Sequence, residues 1–278
     1  MPGSDATERL RGFREFYASL VASDPRVRSA FAAIPRERFM GPGPWRVRTP
    51  SGYVETPVSD PAFLYQDILV ALTEEDRINN GQPSLHALCL AALHIAEGET
   101  AIHVGAGTGY YTAILAKLLG AIGTVVAYEI DQGLAERARL NLADLEMVKV
   151  CGRSGAEGPL PACDVLYVSA GATDPLAVWL DALRVGGRLL FPLTPDHGFG
   201  AMLLVTREAE EHYAARFLCQ AMFIPCMGAR DEVTGRQLAK AFRRGRWEEV
   251  KSLRRYMNPD ESCWCAGADW WLSTAANG

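Results

Sequence analysis

Between Thr100 and Asp131 the chain reads TAIHVGAGTGYYTAILAKLLGAIGTVVAYEID, and no other stretch limits the possible folds so tightly. Ala101, Ile102, His103 and Val104 form a short apolar run of the kind that makes a buried strand, and the run stops at Gly105, Gly107 and Gly109. Helical spacing then carries Tyr110, Ala113, Ile114 and Lys117 to Leu119 as far as Gly120. Thr124 to Tyr128 is a second β-rich run, ending in the acid Glu129. Strand, glycine turn, helix and a strand closed by a carboxylate make one half of a nucleotide-binding βαβ unit.

The chemistry accounts for the spacing. Glycines let the backbone pass close to a ligand, the following helix N-terminus offers N–H groups, and an acid about 20 residues on accepts ribose hydroxyls. Glu129 is the ribose candidate, with Asp131 second. The candidate cofactor-binding set is Gly105, Ala106, Gly107, Gly109, Tyr110, Glu129, Ile130, Gly152, Arg153 and Ser169. Such turns serve NAD, FAD and S-adenosylmethionine. Here the spacing is G-x-G-x-G, not the G-x-G-x-x-G that seats a pyrophosphate, which places a dehydrogenase far behind.

Downstream, Leu183-Arg184-Val185-Gly186-Gly187-Arg188-Leu189-Leu190-Phe191 reads as a helix end, a two-glycine turn and a buried strand. The phrase resembles the "L-K-P-G-G-R-L-V" step of class I S-adenosylmethionine-dependent methyltransferases. Asp24 to Met40, DPRVRSAFAAIPRERFM, resembles the N-terminal signature of the protein-L-isoaspartate O-methyltransferase family, in which an "R-V-x-x-A-F" helix runs into "V-P-R-E-x-F". The resemblance covers about Asp24 to Thr206. It implies S-adenosyl-L-methionine as cofactor, S-adenosyl-L-homocysteine as product, and methyl transfer to a carboxylate or related acceptor on a protein, peptide or small molecule. The implied fold is α/β: a doubly wound, mostly parallel seven-stranded Rossmann-like sheet with N-terminal helices and a C-terminal extension. The implied layout is 1–60 for N-terminal helices and a loop capping the active site, 61–227 for the cofactor domain, and 228–278 for a helical and aromatic extension.

Two departures stand out. The family carries "G-Q-T-I-S-Q-P" over the transferable methyl; here Pro83 aligns, but Gly81 holds the serine position and Asn79 the threonine position. Asn80, Gly81, Gln82 and His86 are the candidates nearest the methyl, with no catalytic residue assigned. Where the family shows "G-D-G", with an aspartate for the adenine amino group, this chain has Cys151-Gly152-Arg153-Ser154-Gly155. Backbone groups or Ser154 are left for adenine. The departures also admit a second reading, a cofactor-binding or protein-interaction module that has lost isoaspartyl methylation.

Local patterns place the remaining elements. Leu10, Phe13, Phe16, Tyr17 and Leu20 give an amphipathic helix over Thr7 to Ala22, after a start over residues 1 to 5 that reads as disordered. Asp24 and Pro25 start a second helix that ends before Pro35. Gly41 to Pro61 reads as loop with Trp45 and Tyr53 as anchors, and Leu64 to Leu72 as a strand or a short helix. A helix follows from Ser84 to Ala96, another from Gln132 to Leu142, and strands at Met147 to Cys151 and Asp164 to Ser169. Ser169-Ala170-Gly171-Ala172 lacks the Asn/Asp-Pro-Pro-aromatic run that holds a flipped base, which argues against DNA adenine methylation. A helix from Pro175 to Leu183, a strand from Gly187 to Leu193 and antiparallel strands at Ala201 to Thr206 and His212 to Cys226 complete the sheet.

Past Gly228, Thr234 to Arg243 and Trp247 to Tyr256 read as two helices. The second is basic through Arg243, Arg244, Arg246, Lys251, Arg254 and Arg255, read as a solvated face with Glu248 and Glu249 as partial partners. Cys263-Trp264-Cys265 lacks a second matched pair and reads as packing, with no metal expected. The histidines are dispersed and read as structural, His86 being the nearest to the altered loop. A net charge of −5 gives no general reason to expect nucleic acid. Seven cysteines, a polar start and no bilayer-length apolar run point to a reducing, cytoplasmic setting without a membrane partner.

Overall fold

Helices in the computed structural model are α1 (Pro2–Val21), α2 (Pro25–Ala33), α3 (Glu37–Met40), α4 (Pro83–Ala92), α5 (Tyr110–Leu119), α6 (Gln132–Asn141), α7 (Ala177–Ala182) and α8 (Glu232–Arg244). Strands are β1 (Arg46–Thr49), β2 (Gly52–Glu55), β3 (Thr100–Val104), β4 (Thr124–Tyr128), β5 (Val148–Cys151), β6 (Cys163–Val168) and β7 (Leu183–Leu193), followed by β8 (Gly200–Arg207), β9 (Tyr213–Ala221), β10 (Ser252–Arg255), β11 (Cys263–Ala266) and β12 (Trp270–Ser273). The structure describes residues 2–73 and 78–277. Two compact units divide them: Met1–Gly98 with Ala106–Gly152, and Glu99–Gly105 with Arg153–Gly278.

In the first unit the helix starts follow from their caps. The Asp24 side chain accepts from the N–H groups of Arg26 and Val27, both at 2.9 Å, with Pro25 at the first helical position of α2. Asp131 caps α6 by accepting from the Leu134 N–H at 2.8 Å. Helix α5 differs: its cap is Gly109 in left-handed backbone, φ 95°, with no side-chain hydrogen bond. It is also the most buried helix here, with Ile114, Leu115 and Leu119 fully enclosed. Each such side chain contributes about 2 kcal/mol through burial. Strands β4 and β5 pair in parallel, Val125 opposite Val148 and Tyr128 opposite Cys151.

Arg36 anchors the loop ahead of α4. The residue is wholly buried, and its guanidinium donates to the carbonyls of Leu64 at 2.5 Å, Gln66 at 2.9 Å and Ile68 at 2.7 Å. A buried cation is tolerated because three carbonyl dipoles replace its water.

The second unit holds the parallel pairs β3 with β6 and β6 with β7, then the antiparallel strands β8 and β9. Near-continuous burial of Ala101 to Val104 and of Val165 to Val168 is what parallel strands covered on both faces require. The parallel pairs within each unit, β4 with β5 in the first and β3 with β6 and β6 with β7 in the second, are those of a mostly parallel Rossmann-like α/β fold, as the sequence implies.

Several local expectations are corrected. Of the start expected to be disordered, residue 1 lies outside the described residues, and α1 runs from Pro2. Part of the Gly41 to Pro61 loop is a hairpin, Arg46 pairing with Glu55 and Thr49 with Gly52, because Thr49-Pro50-Ser51-Gly52 turns the chain back. Leu64 to Leu72 is neither strand nor helix. After a 3-10 turn at Pro61–Leu64, Val70 and Ala71 make only single bridges. Gly186 and Gly187 lie inside β7, not in a turn before it, at a register irregularity between β6 and β7. Helix α8 matches the first extension helix. The second does not exist: Trp247–Glu249 is a 3-10 turn, and Ser252–Arg255 is β10, paired with β9 and β12.

The basic residues expected on that helix are largely engaged. Arg246 pairs with Glu249 at 2.7 Å, Arg254 with Asp260 at 3.1 Å and Arg255 with Asp181 at 2.7 Å, while Arg244 donates to the Trp264 carbonyl. Trp264 lies edge-on to Phe217 and Phe242, and it is buried together with Trp270 and Trp271, so these indoles belong to the core. Among the described residues, no helix is long and apolar enough to cross a membrane.

Candidate functional site

In the first unit the glycine turn faces Glu129. The Ala106 N–H donates to the Tyr128 carbonyl at 3.1 Å and the Gly109 N–H to the Ala106 carbonyl at 2.9 Å, bending the chain into α5. Gly107 has φ 56° and Gly109 has φ 95°, both in the left-handed region. A Cβ on Gly109 would stand 2.7 Å from Leu142 Cδ1, and one on Gly107 3.2 Å from Leu72 Cδ1. The turn therefore requires glycine for both space and conformation.

Glu129 is only 7% exposed, and both of its oxygens are fixed by main chain. Oε2 accepts from the Gly107 N–H at 2.7 Å and Oε1 from the Asp131 N–H at 3.0 Å. Burial pushes its pKa up, and these backbone donors pull it partly back. Each oxygen keeps a lone pair for a further donor, which suits a vicinal diol. Asp131 caps α6 through Oδ1.

The other candidates of this unit separate by side chain and main chain. The Tyr110 ring packs on Phe31 at 6.1 Å and Phe39 at 5.6 Å, so its side chain belongs to the core and its backbone lies in the first turn of α5. Ile130 is partly exposed. At Gly152 an added Cβ would meet Arg139 Nη2 and Gln132 Oε1, each at 2.8 Å, and the Gln132 amide donates to the Gly152 carbonyl at 2.9 Å.

In the second unit Gly105, φ 77°, approaches Ser169. A Cβ there would come within 3.4 Å of the Ser169 carbonyl carbon. The Ser169 N–H donates to the Val104 carbonyl at 2.8 Å, and its Oγ lies 2.9 Å from His103 Nε2. Burial lowers the His103 pKa to about 3, so this imidazole is neutral. Arg153 folds onto its own loop, donating to the carbonyls of Ser154 at 3.0 Å, Glu157 at 2.9 Å and Pro159 at 3.3 Å. The Ser154 hydroxyl, considered for adenine, accepts from the Ala156 N–H at 3.1 Å.

The altered loop returns to the first unit. Asn79 Oδ1 accepts from the Gly81 N–H at 2.9 Å, and Asn80 Oδ1 from the Val70 N–H at 2.7 Å. Gln82 donates to Asp67 Oδ2 at 2.9 Å; the Ser84 N–H and hydroxyl donate to the same carboxylate at 2.8 and 2.7 Å. Gly81 has φ 72°, and a Cβ on it would stand 2.1 Å from His86 Nε2. The His86 ring stacks on Tyr111, centroids 3.6 Å apart and planes 5° apart, and the Tyr111 hydroxyl donates to the Gly81 carbonyl at 3.3 Å.

The structure thus brings Asn80, Gly81, Gln82 and His86 together and ties them to α5, the helix that follows the glycine turn. Asp67, Arg36 and Tyr111 are supporting residues that the sequence alone does not mark. Asp67 meets partners 15 and 17 residues away and Arg36 meets carbonyls 28 to 32 away, separations with no periodic signal. Tyr111 had one signal, its place two residues past Gly109 in the helix that follows the glycine turn.

Comparison with known proteins places the chain in a family. Residues 13–231 match the family model described as protein-L-isoaspartate(D-aspartate) O-methyltransferase (PCMT). A protein-L-isoaspartate O-methyltransferase of Brucella anthropi is 30% identical over 212 residues, covering 74% of this chain and 87% of that protein. One from Archaeoglobus fulgidus is 32% identical over 193 residues, covering 68% and 81%. Among solved structures, a protein-L-isoaspartate O-methyltransferase superposes with a TM-score of 0.66 at 23% identity, covering 84% of this chain and 69% of that one. A Plasmodium falciparum structure assigned to the same activity, in complex with S-adenosyl-L-homocysteine, gives 0.63 at 17% identity, covering 77% and 98%. At those identities the two structures speak to the fold.

Proposed function

Because this chain belongs to the protein-L-isoaspartate(D-aspartate) O-methyltransferase family, we propose that it transfers a methyl group from S-adenosyl-L-methionine to a carboxylate on a protein or peptide. The observation that carries this reading is the Glu129 carboxylate, buried and held against the glycine turn by the Gly107 N–H at 2.7 Å. That donor set fits the cofactor: a fixed carboxylate for the ribose hydroxyls, beside a turn whose glycines carry no side chain of their own. The bound cofactor supplies an electrophilic methyl on a positively charged sulfur.

The residues divide the remaining work. Gly105, Ala106, Gly107 and Gly109 give close backbone approach, and the uncapped start of α5 at Tyr110 offers N–H groups to the carboxylate of the amino-acid part. Ile130 and the Gly152 main chain fall to the adenine side, with Ser169 as a further cofactor contact. Arg153, bound to its own loop, shapes that segment. Asn80, Gly81, Gln82 and His86 form the acceptor side. A carboxylate acceptor is already nucleophilic at neutral pH, so orientation and exclusion of water suffice and no general base is needed. Residues 1–60 would cap the site, 61–227 hold the cofactor and 228–278 form an appended region. A small-molecule acid is the alternative acceptor. Seven free cysteines support a reducing, cytoplasmic setting.

A second reading, a module that binds the cofactor without transferring methyl, is favoured by Gly81, where no side chain fits beside His86. Tritiated methyl transfer to an isoaspartyl peptide, beside total cell extract, decides between the two. Label on either acceptor is expected. Adenosylhomocysteine binding with no label on any acceptor would favour the module.

A further inference from the structure

Gly107 is flanked on two sides within the first unit. Its N–H donates to Glu129 Oε2 at 2.7 Å, and a Cβ in place of one of its hydrogens would stand 3.2 Å from Leu72 Cδ1. The glycine itself is half-buried, while Leu72 and Glu129 are each 7% exposed. An apolar side chain and a carboxylate thus border the same residue of the turn, and both keep some accessible surface.

Leu72 is held in that place through its main chain. Its N–H donates to the Ile78 carbonyl at 2.8 Å, and its carbonyl accepts from Arg137 Nη1, on α6, also at 2.8 Å. Arg137 is half-buried, and burial lowers its pKa, with no acid among the described residues to offset that cost. Its Nη2 lies 3.1 Å from the position that a Cβ on Gly41 would take. The same helix reaches the turn itself, for its C-cap residue Leu142 fills the space beside Gly109. A leucine that merely fills a core needs no cation drawn out of water to hold its carbonyl; a side chain set against a ligand does need such support.

Vicinal hydroxyls bound to Glu129 would bring a ribose beside Gly107, and the ring carbons then offer apolar surface to whatever borders that glycine. Resting on the cofactor reading above, we infer that Leu72 is a cofactor-binding residue: its side chain packs on the ribose of S-adenosylmethionine and keeps water from the hydrogen bonds to Glu129. Such bonds strengthen where water is excluded. Arg137 is the positioning residue that holds Leu72 against the turn.

The test uses the full chain with 13C-labelled leucine methyl groups. Leu72→Met, which nearly conserves volume, identifies the Leu72 resonances by their loss from the spectrum. An NOE between those methyl groups and the ribose protons of bound S-adenosylhomocysteine is expected; binding without that NOE overturns the inference, whatever substitutions at position 72 do to affinity. By calorimetry, Leu72→Ala should weaken adenosylhomocysteine binding about ten-fold. Arg137→Ala should weaken it about three-fold or more, with part of the loss recovered in Arg137→Lys, which keeps a donor for the Leu72 carbonyl. Wild-type affinity in Arg137→Ala removes the positioning role. No binding of adenosylhomocysteine by the wild type removes the cofactor reading and this inference with it, whereas binding with no NOE at Leu72 removes this inference alone.

Discussion

The turn at Gly107 and the loop at Gly81 both place glycine in left-handed backbone within one unit of the fold, yet they are built in opposite ways. The turn is held by main chain: Ala106 to Tyr128, Gly109 to Ala106, and Gly107 to a carboxylate. The loop is held by side chains from scattered positions: Asp67 on Gln82 and Ser84, Asn80 on Val70, His86 and Tyr111 around Gly81. A main-chain device suits a cofactor that stays the same, since no single substitution outside its glycines and acid rebuilds it. A side-chain device can be retailored to a new acceptor by exchanging one or two residues.

The largest effect is expected from removing the one side chain on which the turn depends. Glu129→Ala should weaken adenosylhomocysteine binding about 100-fold or more by calorimetry, since hydrogen bonds to a charged group contribute about 1.5–3 kcal/mol each. A loss below ten-fold would contradict the assignment of Glu129 to the ribose hydroxyls.

Gly81→Ser should destabilise the fold by about 2–4 kcal/mol, combining left-handed backbone with a clash against His86. Adding His86→Ala should recover part of that loss, and denaturant melts of the two singles and the double measure the coupling. Gly107→Ala should cost less, about 1–2 kcal/mol, because its obstacle at 3.2 Å is the flexible end of Leu72. Additive effects at 81 and 86 would show the loop to be looser than described.

This contrast also decides how much the sequence discloses. Gly105, Gly107, Gly109 and Glu129 are legible because main-chain devices leave local signatures: an apolar run, glycines at fixed spacing, an acid at the end of the next strand. The loop is only half legible. Asn80, Gly81, Gln82 and His86 can be placed beside it, but Asp67, Arg36 and Tyr111 join it through tertiary contacts that no period encodes. The extension fails for the same reason: Ser252–Arg255 is a strand because Tyr213, Ala214 and Trp270 to Ser273 pair with it, and Arg254 and Arg255 invite a helix until those partners are known. Gly186 and Gly187 likewise read as a turn, although their neighbours in β6 and β8 keep β7 continuous on either side.

A smaller effect concerns pH. Burial raises the Glu129 pKa, so its own contribution to stability is fully present below the unfolded-state value and declines as pH rises through the folded one. Cofactor binding has the opposite sign, because the ribose hydroxyls need the ionised form. Adenosylhomocysteine affinity should therefore fall on acidification earlier than an ordinary glutamate would dictate, and Glu129→Gln should remove that step; a step that persists in the variant belongs to another group. The smallest effect is at the surface of the extension, where Glu249→Gln should leave the melting temperature unchanged despite losing the pair with Arg246, since both groups are solvated.

The most direct measurement is a calorimetric titration of S-adenosyl-L-homocysteine into the wild-type chain and into Glu129→Ala. Saturable binding in the micromolar range that disappears in the variant is the expected result. No heat with the wild type, or equal binding by both proteins, would contradict the assignment of Glu129 and the glycine turn as the cofactor site.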